Sequence, residues 1–301
     1  MPVAVIANPT SGRGKTAKLI PRVGSLLRSL GVDHAMHVSS GPEDAEAKAR
    51  AAAADGATVV TALGGDGQVH AVANGVIGSG AALGIVPGGT GNDFARIVGL
   101  DRKDPLSAAR LLAAPDTRVI DAVMVQTGEG RRRFVNVAGA GFDAEVNAHA
   151  NGVRFLKGTP RYVFSVFVML ARFEAGDFTV SVDGETHHLP GMMIAVGNGV
   201  SYGGGMKICP TAVIDDGDLE VCVIGALSKF EFIKTFPKVF GGRHVEHPAV
   251  TVLHGREIEV SAPGREFQVY GDGERMGTLP ATFTVEPGAF SVVVPPTASV
   301  S

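Results

Sequence analysis

The sequence predicts a doubly wound α/β domain with a mostly parallel sheet, followed by an antiparallel β-sandwich domain, with an active site in the cleft between them. Up to about residue 120, short β-branched runs alternate with helical patterns, which is typical of parallel sheets covered by helices. After Thr117, period-two apolar runs separated by Gly, Asp and Pro turns dominate, which indicates antiparallel strands. We therefore expect domains at 1–120 and 121–290, and a tail at 291–301 that packs back on the first domain.

The elements of the first domain follow from its apolar runs and helical spacing. Strands are expected at Val3–Ala7, Ala35–Val38, Thr58–Leu63 and Leu83–Val86. Helices are expected at Thr16–Leu30, Glu43–Ala54, Val69–Val76 and Leu106–Ala114. Because the strands of such units run parallel, their carboxyl ends meet at one edge of the sheet, where ligands bind.

The second domain is predicted from alternating apolar residues. Its strands are expected at Val119–Val125, Arg133–Val137, Phe178–Val182, Met192–Val196, Leu219–Ile224, Glu257–Ser261, Phe267–Tyr270 and Phe283–Val294. Helices are expected at Phe155–Phe173 and Leu227–Phe240. The first of these helices has a cationic start and an apolar body. It either lines an acyl-chain cleft or touches a bilayer surface, or it only packs on the sandwich.

Composition excludes several classes of protein. The 27 basic and 30 acidic residues leave a net charge of −3, which argues against a broad nucleic-acid surface. Cys209 and Cys222 cannot form a disulfide framework, so a reducing cytoplasm is expected. The N-terminus enters a strand at once and indicates no signal peptide. The longest apolar run, Tyr162–Phe173, is shorter than the roughly 20 residues of a spanning helix.

Three glycine-rich loops each follow a predicted strand and precede a helix. They are Asn8–Gly12, Gly64–Gly67 and Pro87–Asp93. A loop in this position presents free backbone N–H groups at the positive end of a helix dipole, and glycine lets the main chain approach an anion closely. Three such loops at one sheet edge predict a phosphate-binding site.

The first loop restricts the kind of nucleotide site. Ser11–Thr16 ends like a Walker A motif, but Pro9 stands where that motif has glycine. No Gly-x-Gly-x-x-Gly follows the first strand, so a dinucleotide site is not expected. In one interpretation Asn8 and the amides of residues 10–12 contact phosphate or ribose; in the other, Asn8 only starts an Asx-type turn.

The second and third loops carry polar side chains. Asp66 either holds Mg²⁺ through water or accepts from the ribose, or it caps the helix that begins at Gln68. Thr90, Asn92 and Asp93 are polar groups within a glycine loop and need a partner, which a nucleotide phosphate supplies.

Four motifs in the second domain extend the pattern: Asn198-Gly199, Tyr202–Ile208, Asp215–Leu219 and Tyr270–Glu274. With the three loops, they make the chain resemble the soluble diacylglycerol-kinase-type lipid kinases, the superfamily that includes bacterial diacylglycerol kinases and the sphingosine and ceramide kinases. The resemblance spans residues 3 to about 294. It implies Mg²⁺-dependent transfer of the γ-phosphoryl group of ATP to a lipid hydroxyl, in the cytoplasm with transient contact with the membrane surface. It is compatible with either a monomer or a dimer.

The resemblance also implies site residues. The residues that would contact ATP lie in or beside the loops: Asn8, Pro9, Thr10, Ser11, Gly12, Ser39, Gly64, Gly65, Asp66, Gly67, Gln68, Gly89, Thr90, Asn92 and Asp93. The Mg²⁺ ligands would be the Asp216 carboxylate and the backbone carbonyls of Val213 and Asp218, an oxygen set that suits this ion. The general base maps to Glu274, with Asp272 as its competitor and Asp66 as a further catalytic carboxylate.

Other interpretations stay open at this point. The Asp215–Asp218 segment is either a metal loop or a polar β-turn, and residues 271–274 either present a base or form an ordinary hairpin turn. Gln68 and Ala71 replace a hydroxyl and a carboxylate that the family usually has, which puts the details of phosphate contact in question. NAD kinase is the second functional interpretation, and a catalytically silent nucleotide- or lipid-binding regulator is the third.

Overall fold

Residues 2–142 and 175–296 are described by the computed structural model, together with Val146, Ser165 and Val168. The chain divides into two units by its internal contacts: Met1–Asp121 with Pro287–Ser301, and Ala122–Glu286. The last strand therefore begins in the second unit and ends in the first.

The first unit contains a parallel sheet. Its strands are β1 (Val3–Ala7), β2 (His34–Val38), β3 (Val59–Gly64) and β4 (Ala82–Pro87). They lie in the order β2-β1-β3-β4, and all three pairings are parallel. Every residue of β1, β3 and β4 is buried, because helices cover both faces of a parallel sheet.

The described part of this unit contains five α-helices and a 3₁₀ helix at Ser11–Gly14. The α-helices are α1 (Lys15–Ser29), α2 (Pro42–Ala54), α3 (Asp66–Val76), α4 (Asp93–Ile97) and α5 (Pro105–Leu111). The alanine-rich face of α2 packs closely against α3 at Gly75. A Cβ at Gly75 would lie 2.6 Å from the Cβ of Ala49, so glycine permits this approach.

The second unit is antiparallel. Its strands are β5 (Asp116–Thr127, which begins in the first unit), β6 (Gly130–Phe134), β7 (Val137–Gly141), β8 (Gly176–Val182), β9 (Glu185–Gly197), β10 (Leu219–Gly225), β11 (Val250–Gly255), β12 (Glu257–Ser261), β13 (Gln268–Gly271), β14 (Glu274–Thr278) and β15 (Ala281–Val294). A path of pairings runs β14-β13-β7-β9-β8-β12-β15. β10 pairs with both β9 and β11, and β5 with β6. In the first unit, Ser291 and Val292 of β15 pair in parallel with β4.

Two apolar clusters stabilise the second unit. One contains the fully buried rings of Phe134, Phe178 and Phe267, and the other packs Phe142 and Met193 beneath the helical segment after β10. That segment consists of α6 (Lys229–Thr235) and 3₁₀ turns at Phe236–Gly241 and Arg243–Glu246. Both cysteines are free and buried, and burial raises the pKa of Cys222 to about 12.

The predicted fold class is confirmed: a parallel α/β part is followed by an antiparallel sandwich. Two details of the prediction were wrong. The strand expected at Arg133–Val137 is broken after Phe134. The helix expected at Leu227–Phe240 turns into 3₁₀ geometry at Phe236, where Pro237 has no N–H for the α-helical ladder. Apart from Ser165 and Val168, the helix expected at Phe155–Phe173 lies outside the described residues.

Three further elements were not predicted: β11, β14 and α4. Each is short, and none carries a long alternating or helical pattern of its own. No helix in the part of the chain that the structure describes is both long and apolar enough to cross a membrane.

Candidate active site

The sheet of the first unit has a topological switch point between β1 and β3. From β1, the order runs to β2 on one side and to β3 and β4 on the other. Ligands of doubly wound sheets bind in the crevice that such a reversal leaves at the carboxyl ends of the strands. The loops that follow β1 and β3 flank this point, and the third glycine loop follows β4.

The three loops contact one another closely within the first unit. A Cβ on Gly12, whose φ is +59°, would collide with the carbonyl oxygen of Gly88, and a Cβ on Gly89 would collide with the Cα of Gly65. The Gly88 N–H donates to the Gly64 carbonyl at 2.7 Å. Any larger residue at these positions would push the loops apart. The glycines therefore bring three stretches of main chain together, as the sequence predicted.

The first loop is shaped by its own polar residues. The Asn8 Oδ1 accepts from the N–H of Thr10 at 3.0 Å and from its hydroxyl at 2.7 Å. This is the Asx-type turn that was one of the two interpretations. The Thr16 hydroxyl donates to the Gly88 carbonyl at 3.1 Å, which ties α1 to the third loop. Thr10 is exposed, whereas Pro9 and Ser11 are half-buried beside it.

The side chains of Gln68 and Ser39 connect α3 to the end of β1 beneath the loops. The Gln68 side chain is 4% exposed, and its amide donates to the Ile6 carbonyl at 2.9 Å. Its Oε1 accepts from the Ser39 hydroxyl at 3.2 Å, and that hydroxyl also donates to the Ala7 carbonyl. The Gln68 side chain is therefore engaged by the protein and is not available for the ATP contact that the resemblance implies. Its amide is engaged by β1, and together the two side chains fix α3 against the end of that strand.

Asp66 is the first residue of α3, but its carboxylate stabilises a different helix. The Asp66 Oδ1 accepts from the N–H groups of Asp93, at 2.7 Å, and Phe94, at 3.4 Å, which begin α4. The Asp66 carboxylate therefore does not cap α3, whose N-cap residue is Gly65. Burial, followed by the negative charge of Asp93, raises the pKa of Asp66.

The third loop also satisfies most of its own polar groups. Asn92 adopts a left-handed conformation with φ of +49°, accepts from the Gly89 N–H and donates to the Gly89 carbonyl, both at 3.0 Å. Asp93 accepts from Arg96 at 2.7 Å. The partner expected from a phosphate is therefore supplied by the protein at Asn92 and Asp93. Thr90 is exposed at the tip of the loop.

The groups that remain for a ligand are mainly on the backbone. Asp66 and Gly67 begin α3, so their N–H groups have no carbonyl partner within the helix and lie at the positive end of its dipole. The exposed cations Arg13 and Lys15 follow the first loop. Arg102 donates to the Gly91 carbonyl at 3.0 Å. Main-chain N–H groups with cations beside them form a site for an anion such as a phosphate chain.

In the second unit, residues 271–274 form a tight turn between β13 and β14. Asp272 and Gly273 both have positive φ, +53° and +87°, and Gly271 pairs with Glu274. This backbone is that of an Asp-Gly hairpin turn. Glu274 is half-buried, and within the described residues its carboxylate has no hydrogen bond or ion pair.

Asp272, the competitor of Glu274, is occupied by the protein. Its Oδ2 accepts from the N–H of Val135 at 2.9 Å, and its Oδ1 accepts from the N–H of Asn136 at 3.0 Å. These two bonds explain why the strand expected at Arg133–Val137 is broken, since the amides at the break turn to the carboxylate instead of a ladder. Asp272 therefore holds the turn in place, and this bonding argues against the role of base that it was given as an alternative.

The loop before β10 carries the candidate metal ligands. Asp215 and Asp216 are exposed, Val213 is 43% exposed, and Gly217 turns the chain with φ of +72°. The Asp218 N–H donates to the Asp216 Oδ1 at 3.0 Å. In the described ranges no group of three or more His, Cys, Asp or Glu side chains is placed to hold a metal ion. Hard oxygen donors on an exposed loop nevertheless fit Mg²⁺, which usually keeps several of its waters.

Sequence reasoning did not assign a supporting role to the residues that hold these turns, although Asn198 belongs to one of its motifs. Glu220 is 1% exposed, and its Oε2 accepts from the N–H of Thr211 at 2.7 Å and from its hydroxyl at 2.8 Å, which anchors the segment before the metal loop. Asn198 donates to the Val135 carbonyl at 3.0 Å, and Asn136 donates to the Ser201 carbonyl at 2.7 Å. A polar residue inside an apolar strand run, as at Asn136 and Glu220, is the signal that could have identified them.

Comparison with solved structures defines the class of fold. A crystal structure of a diacylglycerol kinase from Bacillus anthracis str. Sterne has a TM-score of 0.76 at 21% sequence identity, and the match covers 98% of this chain and 97% of that chain. A second structure from the same organism has a TM-score of 0.80 at 22% identity and covers 98% and 95%. The fold is thus that of two-domain kinases with an α/β part and a β-sandwich.

Comparison of sequences then identifies the family. Residues 2–125 match the diacylglycerol kinase catalytic domain, and residues 136–294 match the YegS C-terminal NAD kinase beta sandwich-like domain. The diacylglycerol kinase of Mycobacterium tuberculosis (strain CDC 1551 / Oshkosh) is 35% identical over 295 residues, 97% of this chain and 95% of the relative. That of Bacillus subtilis (strain 168) is 28% identical over 282 residues, 93% and 91%. This chain belongs to the soluble, diacylglycerol-kinase-type lipid kinase family, and it is an enzyme of the kinase class.

Proposed function

We propose that this protein transfers the γ-phosphoryl group of ATP to the hydroxyl of a diacylglycerol-like lipid. The observation that carries the proposal is the convergence of three glycine loops at the switch point of a parallel sheet. The relatives named diacylglycerol kinase support the class of acceptor. Phosphoryl transfer depends on positioning and on stabilising charge, so a cradle of fixed N–H groups is suited to it.

ATP is bound by the first unit in this proposal. The triphosphate lies beside the three loops, where the N–H groups of Asp66 and Gly67 begin α3, and Thr90 supplies an exposed hydroxyl. Arg13 and Lys15 offset its negative charge. Asn8, Gln68 and Asn92 act indirectly, because their side chains hold the loops in the shape that aims the amides.

Mg²⁺ is proposed as the cation. The Asp216 carboxylate and the carbonyls of Val213 and Asp218 would hold it, and when bound it would neutralise charge near the site. Glu220 and Thr211 keep this segment in place through their hydrogen bonds.

Glu274 is proposed as the general base. It takes the proton of the lipid hydroxyl while the hydroxyl oxygen bonds to the γ-phosphorus, and the bond from that phosphorus to the bridging oxygen of ADP breaks. A carboxylate with no partner among the described residues is free to accept this proton. The neighbouring Asp272 supports the turn that positions it. We place the reaction in the cytoplasm, with the enzyme in transient contact with the membrane that contains the lipid.

A purified-protein assay tests the proposal. The protein is incubated with ATP and Mg²⁺ and with a panel of diacylglycerol, phosphatidylglycerol, ceramide and a long-chain base, with NAD as a further acceptor. We expect phosphorylated lipid, with diacylglycerol preferred. Formation of NADP would instead establish NAD kinase activity. ATP binding without turnover of any acceptor would identify a silent regulator, and either result would refute the proposal.

A further inference from the structure

The helical segment after β10 is apolar on both of its faces. Its inner face, with Phe232, Phe236 and Val239, packs over the second apolar cluster, where it covers a cavity of about 50 Å³. Its outer face carries Phe230, which is 77% exposed, and Ile233, which is 49% exposed. Aromatic and aliphatic side chains beside charged residues on the outer face of a surface helix are typical of an interfacial amphipathic segment.

The exposed apolar residues of the described chain are concentrated on this segment. Three of the seven exposed large hydrophobic residues lie in it, namely Phe230, Ile233 and Phe240, and both exposed aromatic rings are among them. The other four are aliphatic side chains distributed among different elements: Leu30, Val38, Val119 and Val213. Scattered single apolar residues need no explanation, whereas a cluster on one segment marks an interaction surface.

Three of the four rings of this segment contact one another. Phe232 stacks on Phe236 with 5.7 Å between centroids, and Phe236 meets Phe240 edge to face at 6.2 Å. Ser228 caps the start of α6, because its hydroxyl accepts from the Glu231 N–H while the Glu231 carboxylate accepts from Ser228. The cap and the ring contacts thus fix the helical backbone that presents the outer side chains.

Charge favours one kind of partner for this surface. Residues 228–241 contain three lysines and one glutamate, a net charge of +2 in a chain whose total is −3. The one acid, Glu231, is engaged by Ser228, and in the part of the chain that the structure describes Lys234 and Lys238 are exposed and form no ion pair. Nearby, Arg243 and Glu246 pair with each other at 3.2 Å. Aromatic and aliphatic side chains beside unpaired lysines are complementary to the interface of an anionic bilayer.

We propose that the outer face of residues 228–241, formed by Phe230, Ile233, Lys234, Lys238 and Phe240, is the surface by which this protein docks on an anionic lipid bilayer. The apolar side chains insert at the level of the headgroups, and the lysines attract the anionic lipids. This inference deepens the proposed function and rests on it for the presence of a lipid substrate, but docking itself requires no catalysis.

Vesicle binding tests the apolar part of the surface. The protein is sedimented with phosphatidylcholine vesicles containing a quarter of phosphatidylglycerol, and with vesicles of phosphatidylcholine alone. The double variant Phe230→Ser/Ile233→Ser is expected to bind both kinds of vesicle at least about tenfold more weakly, since burial of one such side chain is worth about tenfold. The matched control Leu30→Ser/Val119→Ser removes two exposed aliphatic side chains elsewhere and is expected to bind like the wild type.

A second pair of variants tests the charge. Lys234→Gln/Lys238→Gln is expected to lose about fivefold per lysine on the anionic vesicles and nothing on the neutral ones. Lys18→Gln/Lys103→Gln removes two exposed lysines of the first unit and is expected to leave binding unchanged. All positions changed are exposed, so the folded state is verified by equal thermal midpoints.

The outcomes distinguish the occupants of the surface. The inference would be overturned if the wild-type protein bound neither kind of vesicle. It would also be overturned if the surface variants bound the vesicles as tightly as the wild type. A wild-type dimer that Phe230→Ser/Ile233→Ser dissociates without any vesicle binding would overturn it too, because the occupant would then be a second copy of the chain.

The kinase assay separates this inference from the proposed function. On a short-chain diacylglycerol presented without a bilayer, the surface variants are expected to keep the wild-type rate. Vesicle binding without any lipid turnover would refute the proposed function and leave the docking surface intact. Turnover of the short-chain lipid without vesicle binding would refute the docking surface and leave the proposed function intact.

Discussion

In the first unit, Asn8, Gln68 and Asn92 in and beside the glycine loops use their side chains to bind the protein itself. In the second unit, the turn at 271–274 has one carboxylate that binds the protein and one that does not. Asn8, Gln68 and Asn92 all hydrogen-bond backbone groups of their own unit. In the turn, Asp272 does the same for the amides of Val135 and Asn136, while Glu274 keeps its carboxylate without a partner among the described residues.

In the proposed reaction the two regions bind different groups, and the difference between them fits these roles. A phosphate chain is recognised by main-chain N–H groups, so the side chains around it serve best by fixing the backbone. A proton is accepted by one side chain, so that side chain must remain uncommitted while a neighbour holds its turn. Four mutational predictions test this contrast.

The largest effect is expected at Glu274. Glu274→Gln keeps the size of the side chain and removes its basicity, so kcat is expected to fall by about 10² to 10⁴, while the affinity for ATP is nearly unchanged. Steady-state kinetics and calorimetric ATP titration measure the two effects. Glu257→Gln, at an exposed position of β12, is the control and should retain full activity. An undiminished kcat in Glu274→Gln would reject it as the base.

A glycine of the loops is expected to give the next largest effect. In Gly12→Ala the new Cβ would meet the Gly88 carbonyl oxygen at a positive φ, so the first and third loops must move apart. We expect ATP affinity to fall about tenfold and the free energy of unfolding to fall by roughly 1–3 kcal/mol. Gly41→Ala is the matched control, because Gly41 is extended and faces open space. Wild-type ATP affinity in Gly12→Ala would contradict recognition by the backbone.

A variant of Asp272 distinguishes a residue that supports the turn from one that accepts the proton. Asp272→Asn tolerates the left-handed backbone but leaves one of the two amides without its acceptor. The free energy of unfolding is expected to fall by about 1–3 kcal/mol, and kcat at a temperature where the variant is folded is expected to change less than tenfold. Chemical denaturation and kinetics provide both values. A loss of kcat as large as that of Glu274→Gln would show that Asp272, not its neighbour, accepts the proton.

The smallest effect is a pH dependence of stability at Asp66. Burial, and then the Asp93 charge, raise the pKa of Asp66 above its ordinary value of 3.8. The folded state then binds the proton more tightly than the unfolded state does. This contribution is therefore fully present below pH 3.8 and is lost as the pH rises through the folded-state pKa.

Asp66→Asn is expected to remove this component, so its free energy of unfolding should decline less steeply with rising pH than that of the wild type. Denaturation at a series of pH values measures the slope. Asp55→Asn, at an exposed position, should reproduce the wild-type slope. Equal slopes in all three proteins would mean that the Asp66 carboxylate is not perturbed.

Much of the fold and of the candidate site could be predicted from local patterns. Apolar runs placed β1, β3 and β4 to within a residue or two, and the three glycine loops were expected to meet because parallel strands end at one edge of a sheet. The break after Phe134 could not be predicted, because it depends on Asp272, far along the chain. The same is true of α4, whose first amides are accepted by Asp66.

Local sequence patterns were enough to predict where glycine leaves the main chain free of side chains, which segments form strands and helices, and which residue types surround the loops. These properties depend on backbone conformation and on periodicity, both of which are local. The tertiary structure decided which polar side chains hold the scaffold and which remain available. That choice depends on partners distant in the chain, such as Ile6 for Gln68 and Val135 for Asp272, and a hydrogen bond is settled only when folding brings its two groups within about 3 Å.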